Sequence, residues 1–118
     1  TFCMIQEGQI TLFRFPQTDQ APGKLRPALV LRKIAGPYDD WLICMVSSQL
    51  SQELPEFDVV IYENDSDFEQ SGLKTSSVIR ISRIAVVSKD FLLGSIGNIG
   101  DDRLNLIKSR LSTWIKGT

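Results

Sequence analysis

Arg26 stands directly before Pro27, at the close of a loop and the opening of the apolar run RPALVL. A proline biases the preceding backbone to the extended region, which limits where the guanidinium can swing. Its five donors, held in a fixed fork, suit a phosphate in two contacts. Ser47, Ser48 and Gln49 end a second apolar run, WLICMV, where a hydroxyl can bind a phosphate oxygen. Taken singly, each has a plainer reading. An arginine before a strand is usually solvated, and Ser-Ser-Gln reads as a strand end and turn. Lys24 shares the loop of Arg26 and adds a second cation. Arg80 and Arg83 are three apart on or near a strand, so on a regular strand they point to opposite faces. One then contacts phosphate, while the other holds a carboxylate in the sheet wall.

Histidine is absent from the chain. That excludes Ser-His-Asp and Cys-His triads, histidine-bearing zinc sites and the two-histidine style of ribonuclease. Catalysis must run on Arg, Lys, Ser, Thr, Tyr or carboxylates. Cys44 lies within WLICMV and reads as a small buried hydrophobe; with Cys3 it makes no disulfide framework. Asp65 and Asp67, with Asp58 and Glu69 nearby, invite a metal reading, but their spacing matches no EF-hand and loop capping fits better. No metal or other cofactor is expected.

The net charge of −1 does not favour general nucleic-acid binding, but its distribution is uneven. Residues 53–69 hold seven acids and no base, whereas 70–89 hold Lys74, Arg80, Arg83 and Lys89 and no acid. The result is a two-signed surface: either solvated loops in balance, or one basic face turned to a polyanion.

These side chains need elements to position them. At 118 residues, 42% hydrophobic and 23% charged, the chain is expected to form one globular domain, 1–118, with 1–6 peripheral. No apolar run approaches the roughly 18 residues of a membrane span, and 1–7 lack the basic flank and apolar core of a secretory leader. Gln9–Phe15 alternates, with Ile10, Leu12 and Arg14 opposed to Thr11, Phe13 and Phe15, and predicts a strand. Phe13 and Phe15 fit a core better than base stacking. Pro16 ends that strand, and PQTDQAPGK reads as a loop. RPALVLRKI, WLICMV and Phe57–Tyr62 predict three more strands, Pro27 being tolerable only at a strand start or edge. Asp65 is placed to cap a helical turn ending at Gly72. Ser77–Ile81 and Ile84–Ser88 form one bent strand or two joined at a bulge. Asp101 then caps a helix with Leu104, Ile107, Leu111, Trp114 and Ile115 on one face, and Lys108, Arg110 and Lys116 in its later turns. Strands followed by one amphipathic helix give a mainly β fold, a small antiparallel barrel capped by a C-terminal α-helix.

The ordered pieces GQITLFRFPQTDQAPGKLRPALVL, VSSQ and SDFEQSGLKTSSVIRISRI, followed by a terminal helix, resemble the MazF/PemK toxin family from about Glu7 to Ile115. The resemblance implies an SH3-like barrel, a homodimer, a cognate antitoxin, a cytoplasmic location without membrane attachment, and metal-independent cleavage of single-stranded RNA. It carries the family's chemistry to Arg26 and Ser47. Ser47 stands where threonine is common, and Gln9 where an acid often follows the glycine. Cleavage through the 2′-hydroxyl needs a stabilised phosphorane, which Arg26 can supply. A general-base role suits Arg26 poorly, since its pKa lies above about 12. Ser47 would bind a phosphate oxygen or orient the 2′-hydroxyl. Gln49 would support the loop or a base, and Lys24, Arg80 and Arg83 would bind RNA. The fold resemblance extends to CcdB-type toxins, which bind DNA gyrase; Trp114 to Thr118 would then make the contact. A catalytically silent module that only pairs with an antitoxin is a further alternative.

Overall fold

Six strands, two α-helices and two single-turn 3-10 helices are described by a computed structural model covering residues 4–14 and 24–117. The expectations for Thr1–Cys3, Phe15, the loop 16–23 and Thr118 lie outside the described residues. The strands are β1 (Gln9–Arg14), β2 (Leu25–Lys33), β3 (Asp40–Ser47), β4 (Val59–Ile61), β5 (Ser77–Ser88) and β6 (Leu92–Asn98). The helices are α1 (Phe68–Ser71) and α2 (Asp101–Lys116). All neighbours are antiparallel, in the order β4-β5-β3-β2-β1-β6.

The central strands are apolar on both faces. On one face Ile10, Leu29, Cys44, Val46 and Ile79 pack with Val59 and Ile61 of β4, Ile99, and Ile107 and Leu111 of α2. One sheet edge thus shares a core with residues flanking the other, so the sheet curls round beneath α2. This is the expected mainly β fold, although among the described residues no ladder joins β4 to β6 and the barrel is not closed. The opposite face gathers Phe13, Ala28, Val30, Trp41, Ile43 and Leu92. Ile107 is fully buried, which stabilises the docking of α2 by about 2–3 kcal/mol.

Several expectations change. Pro27 sits inside β2, a central strand, but one residue before the ladder to β3 begins at Ala28, so its missing N–H costs no cross-strand bond there. The strand predicted over Phe57–Tyr62 shortens to three residues because the Phe57 and Asp58 amides turn back to the Leu54 carbonyl. Ser77–Ser88 is one strand whose register jumps between Arg80 and Ile84. β6 is a strand that no apolar pattern in the sequence predicts. Gly100 rather than Asp101 is the N-cap of α2, and Trp114 and Ile115 are exposed, which narrows its buried stripe to Leu104, Ile107 and Leu111.

Asp65 does not cap α1; Asp67 occupies that position without a side-chain cap bond. Both carboxylates instead hold Arg103 of α2. Its Nε donates to Asp67 Oδ2 at 2.8 Å and its Nη2 to Asp65 Oδ2 at 2.9 Å, while Nη1 reaches the Val60 carbonyl at 3.0 Å. Asp67 also accepts the Gly100 amide, which ties the α1 turn to the start of α2. The Arg103 hydrogen bonds, more than offsetting partial burial, hold the Asp67 carboxyl below the ordinary carboxylate range. Cys44 is fully buried, and burial together with the neighbouring Asp58 charge pushes its thiol pKa far up.

Candidate functional site

The register of the central strands sets out the site in rows. One row runs Thr11, Ala28, Met45, Arg80 across β1, β2, β3 and β5. One step toward the strand ends, Phe13 pairs with Arg26 and Ser47 with Val78. Arg26 lies two residues before Ala28 on β2 and Ser47 two residues after Met45 on β3, so both stand just past the end of the β2–β3 ladder. Both line the cavity that opens at this end of the sheet. Phe13 is buried in the second core, so it packs rather than stacks on a ligand, and it anchors the strand beside Arg26.

Ser47 Oγ accepts the Gln49 amide at 3.1 Å. That bond fixes the hydroxyl oxygen and leaves its own proton free to donate. Gln49 turns the chain away from β3, and its side-chain oxygen accepts from Gln52 Nε2 at 3.4 Å.

A cavity of about 590 Å³ opens at this end of the sheet, within the size range of small-molecule sites. Its polar lining is Arg26, Ser47, Ser48, Gln49, Lys74, Thr75 and Ser77, over an apolar floor that includes Leu12, Pro27, Leu73 and Ile96. Two cations, several hydroxyls and no described acid make it a site for an anion carrying an apolar moiety. A second groove of about 510 Å³, lined by Leu54, Phe57, Ile81, Ile84 and Trp114 among others, carries no cation and suits no phosphate.

Of the six residues singled out from the sequence, the cavity gathers Arg26, Ser47 and Gln49. Lys24 is exposed just before β2 and does not line it. Arg80 lies half-buried one row inward of Ser47, on the same face; its Nε is buried without a hydrogen-bond partner among the described residues. Arg83 is exposed within the register jump, so simple alternation does not relate the two arginines. Among the described residues neither holds a carboxylate. The buried wall carboxylate, Asp58, is held instead by the Leu54 and Ser82 amides at 2.9 Å each and by Ser82 Oγ at 3.1 Å. The sequence reading missed Lys74 and Thr75. Lys74 belongs to the basic stretch after Gln70, but nothing in the sequence alone places the segment after α1 beside β2 and β3.

The family model described as PemK-like, MazF-like toxin of type II toxin-antitoxin system matches residues 6–115. No curated protein matches the sequence. Among solved structures, an endoribonuclease in complex with its cognate antitoxin, from a mycobacterial species, is similar with a TM-score of 0.65. The match covers 96% of each chain at 15% identity, a likeness of fold. The family match spans nearly the whole sequence, and the chain belongs to the PemK-like, MazF-like toxins of type II toxin-antitoxin systems.

Proposed function

We propose that this chain is a toxin that cleaves single-stranded RNA through the RNA's own 2′-hydroxyl, without a metal ion. The observation that carries the reading is that Arg26 and Ser47 line the same cation- and hydroxyl-bearing cavity. The 2′-oxygen bonds to phosphorus as the bond from phosphorus to the 5′-oxygen breaks, leaving a 2′,3′-cyclic phosphate and a 5′-hydroxyl. The proton lost by the 2′-hydroxyl balances the one gained by the leaving oxygen. Arg26 lies against the scissile phosphate and stabilises the charge that gathers on its oxygens. Ser47, its oxygen already fixed by the Gln49 amide, donates its proton to a phosphate oxygen or orients the 2′-hydroxyl. Gln49 supports this turn or meets a base; Lys24, Arg80 and Arg83 extend the electrostatic footprint along the strand. The partners proposed are single-stranded RNA, a cognate antitoxin and a second copy of the chain, in the cytoplasm. Among the described residues no helix is long and apolar enough to cross a membrane.

A binding-only role is the second reading. Trp114, 59% exposed at the end of α2, is the feature that favours it. The deciding experiment is cleavage of a long mixed-sequence single-stranded RNA in EDTA by the purified chain, Arg26→Ala and Ser47→Ala, with fragment ends mapped. Cutting at recurring short sites, lost in a folded Arg26→Ala protein, supports the nuclease. Equal cutting by all three points to contamination or a misplaced site. Absence of cutting by the folded wild-type chain transfers the weight to the binding role.

A further inference from the structure

We propose that Lys74 is a second phosphate-binding residue, which grips the RNA backbone at a phosphate next to the one Arg26 holds. The inference rests on the RNA reading of the cavity and deepens it. Lys74 lines the same cavity as Arg26 and Ser47, but comes from the segment joining α1 to β5. Among the described residues no ion pair engages it, and no acid among the lining residues neutralises it. Two cations from different elements in one cavity that also has apolar lining suit a chain of phosphates with a base or sugar between them.

The segment that carries Lys74 is held from both sides. Before it, α1 ends at Gly72 in the left-handed conformation, and the Leu73 amide donates to Ser71 Oγ at 3.2 Å. After it, Ser76 Oγ accepts the Glu63 amide at 2.9 Å and Ser77 Oγ donates to the Thr75 carbonyl at 2.9 Å. The Lys74 backbone is therefore ordered before any ligand arrives, so binding spends little entropy in fixing it. The lysine stem remains free to follow the phosphate, as a compact point charge can. Thr75, also in the lining, offers a hydroxyl beside the ammonium.

The test is binding of fully 2′-O-methylated, mixed-sequence single-stranded RNA, in which the attacking hydroxyl is blocked. Wild type, Lys74→Met, Lys74→Arg and the remote control Lys116→Met are titrated across a range of salt. Loss of one phosphate contact is expected to weaken binding about tenfold and to reduce the slope of log affinity against log salt by about 0.7. Lys74→Arg is expected to restore both, and Lys116→Met to change neither. Cleavage assays on unmodified RNA run alongside are expected to show a raised KM for Lys74→Met with little change in kcat.

Unchanged affinity and slope for a folded Lys74→Met overturn the proposal while leaving the cleavage reading standing. An equal loss in Lys116→Met also overturns it, because the effect is then one of net charge. Weakened binding by Lys74→Met, in a chain that binds RNA but does not cut it, supports this proposal and removes only the nuclease reading. A wild-type chain that does not bind RNA removes both.

Discussion

Gly72 and Gly97 interlock where the end of α1 crosses β6. A Cβ on Gly72 would lie 2.0 Å from the Ile96 carbonyl oxygen, and one on Gly97 would lie 2.2 Å from that of Gln70. The obstructing atoms are backbone, so no rotamer change relieves them. This crossing sets the height of Leu73, Lys74 and Thr75 above the cavity. Gly97→Ala is expected to cost about 3 kcal/mol by prising α1 from the sheet. Gly72→Ala is expected to cost about 1–2 kcal/mol more, because Gly72 also has a φ of 74°. Urea denaturation checks both. Stability equal to wild type in either variant would mean that the two elements are not in contact in solution.

Asp58 is the corresponding device at the β4–β5 edge of the sheet. It is buried, and its carboxylate joins the Leu54 amide to the Ser82 amide and hydroxyl at the register jump of β5. Arg110 of α2 donates to the Asp58 carbonyl at 2.8 Å and adds a third attachment. Asp58→Ala leaves these amides without their acceptor and is expected to cost about 3 kcal/mol. Ser82→Ala removes a single bond and is expected to cost about 1 kcal/mol. Comparable losses in the two variants, read from denaturant midpoints, would show that the hydroxyl and not the pair of amide bonds holds the bend.

These contacts explain what was legible in the sequence. The strands β1, β2 and β3 showed because their apolar residues are contiguous or alternate, and Ile107 and Leu111 showed through helical spacing. β6 did not, since FLLGSIGN holds two glycines and exposes Leu93 and Ile96. Gly97 is there for the crossing with α1, a requirement that only the folded chain reveals. Asp65 and Asp67 resembled local caps because their partner, Arg103, lies some thirty-six residues further on. In the site, Arg26 and Ser47 were marked by family resemblance and by proline and strand-end chemistry. Lys74 was not, because its place depends on how α1 packs.

The Arg103 cluster makes an acid limit to stability. In the unfolded chain Asp67 takes up a proton in the ordinary carboxylate range, whereas in the fold the Arg103 hydrogen bonds hold it below that range. The stabilisation is therefore complete above the unfolded value and is lost as pH falls through the folded one. The melting temperature is expected to drop as pH is lowered below about 4. Asp67→Asn is expected to melt lower than wild type at neutral pH and to lose part of that acid dependence. Parallel curves for the two proteins between neutral and acid pH would remove Asp67 from the explanation.

Ser47 offers a test of whether the hydroxyl or the small size of the residue matters. Ser47→Thr keeps the oxygen at the same strand end and is expected to cut RNA within about threefold of wild type, the added methyl being a small change at a half-buried position. Ser47→Ala removes a donor aimed at developing charge and is expected to lower kcat about a hundredfold with KM little changed. It also leaves the Gln49 amide without its acceptor, a structural cost of about 1 kcal/mol that a melting curve measures separately. Equal kcat for alanine and serine in folded proteins would take Ser47 out of the chemistry.

Arg80 separates folding from function most sharply. Its Nε is buried without a partner among the described residues, on the face that carries Arg26 and Ser47. A buried donor that gives up water and gains nothing is a cost to the fold, and such costs persist where a ligand collects them. Arg80→Met keeps an apolar stem of similar reach and removes the stranded donor. The variant is expected to be as stable as wild type or more stable by about 1 kcal/mol, while binding single-stranded RNA about tenfold more weakly. Urea midpoints and RNA titrations on the same preparations read the two effects independently. A fall in stability with RNA affinity unchanged would assign Arg80 to the sheet wall and leave the phosphates to the residues of the cavity.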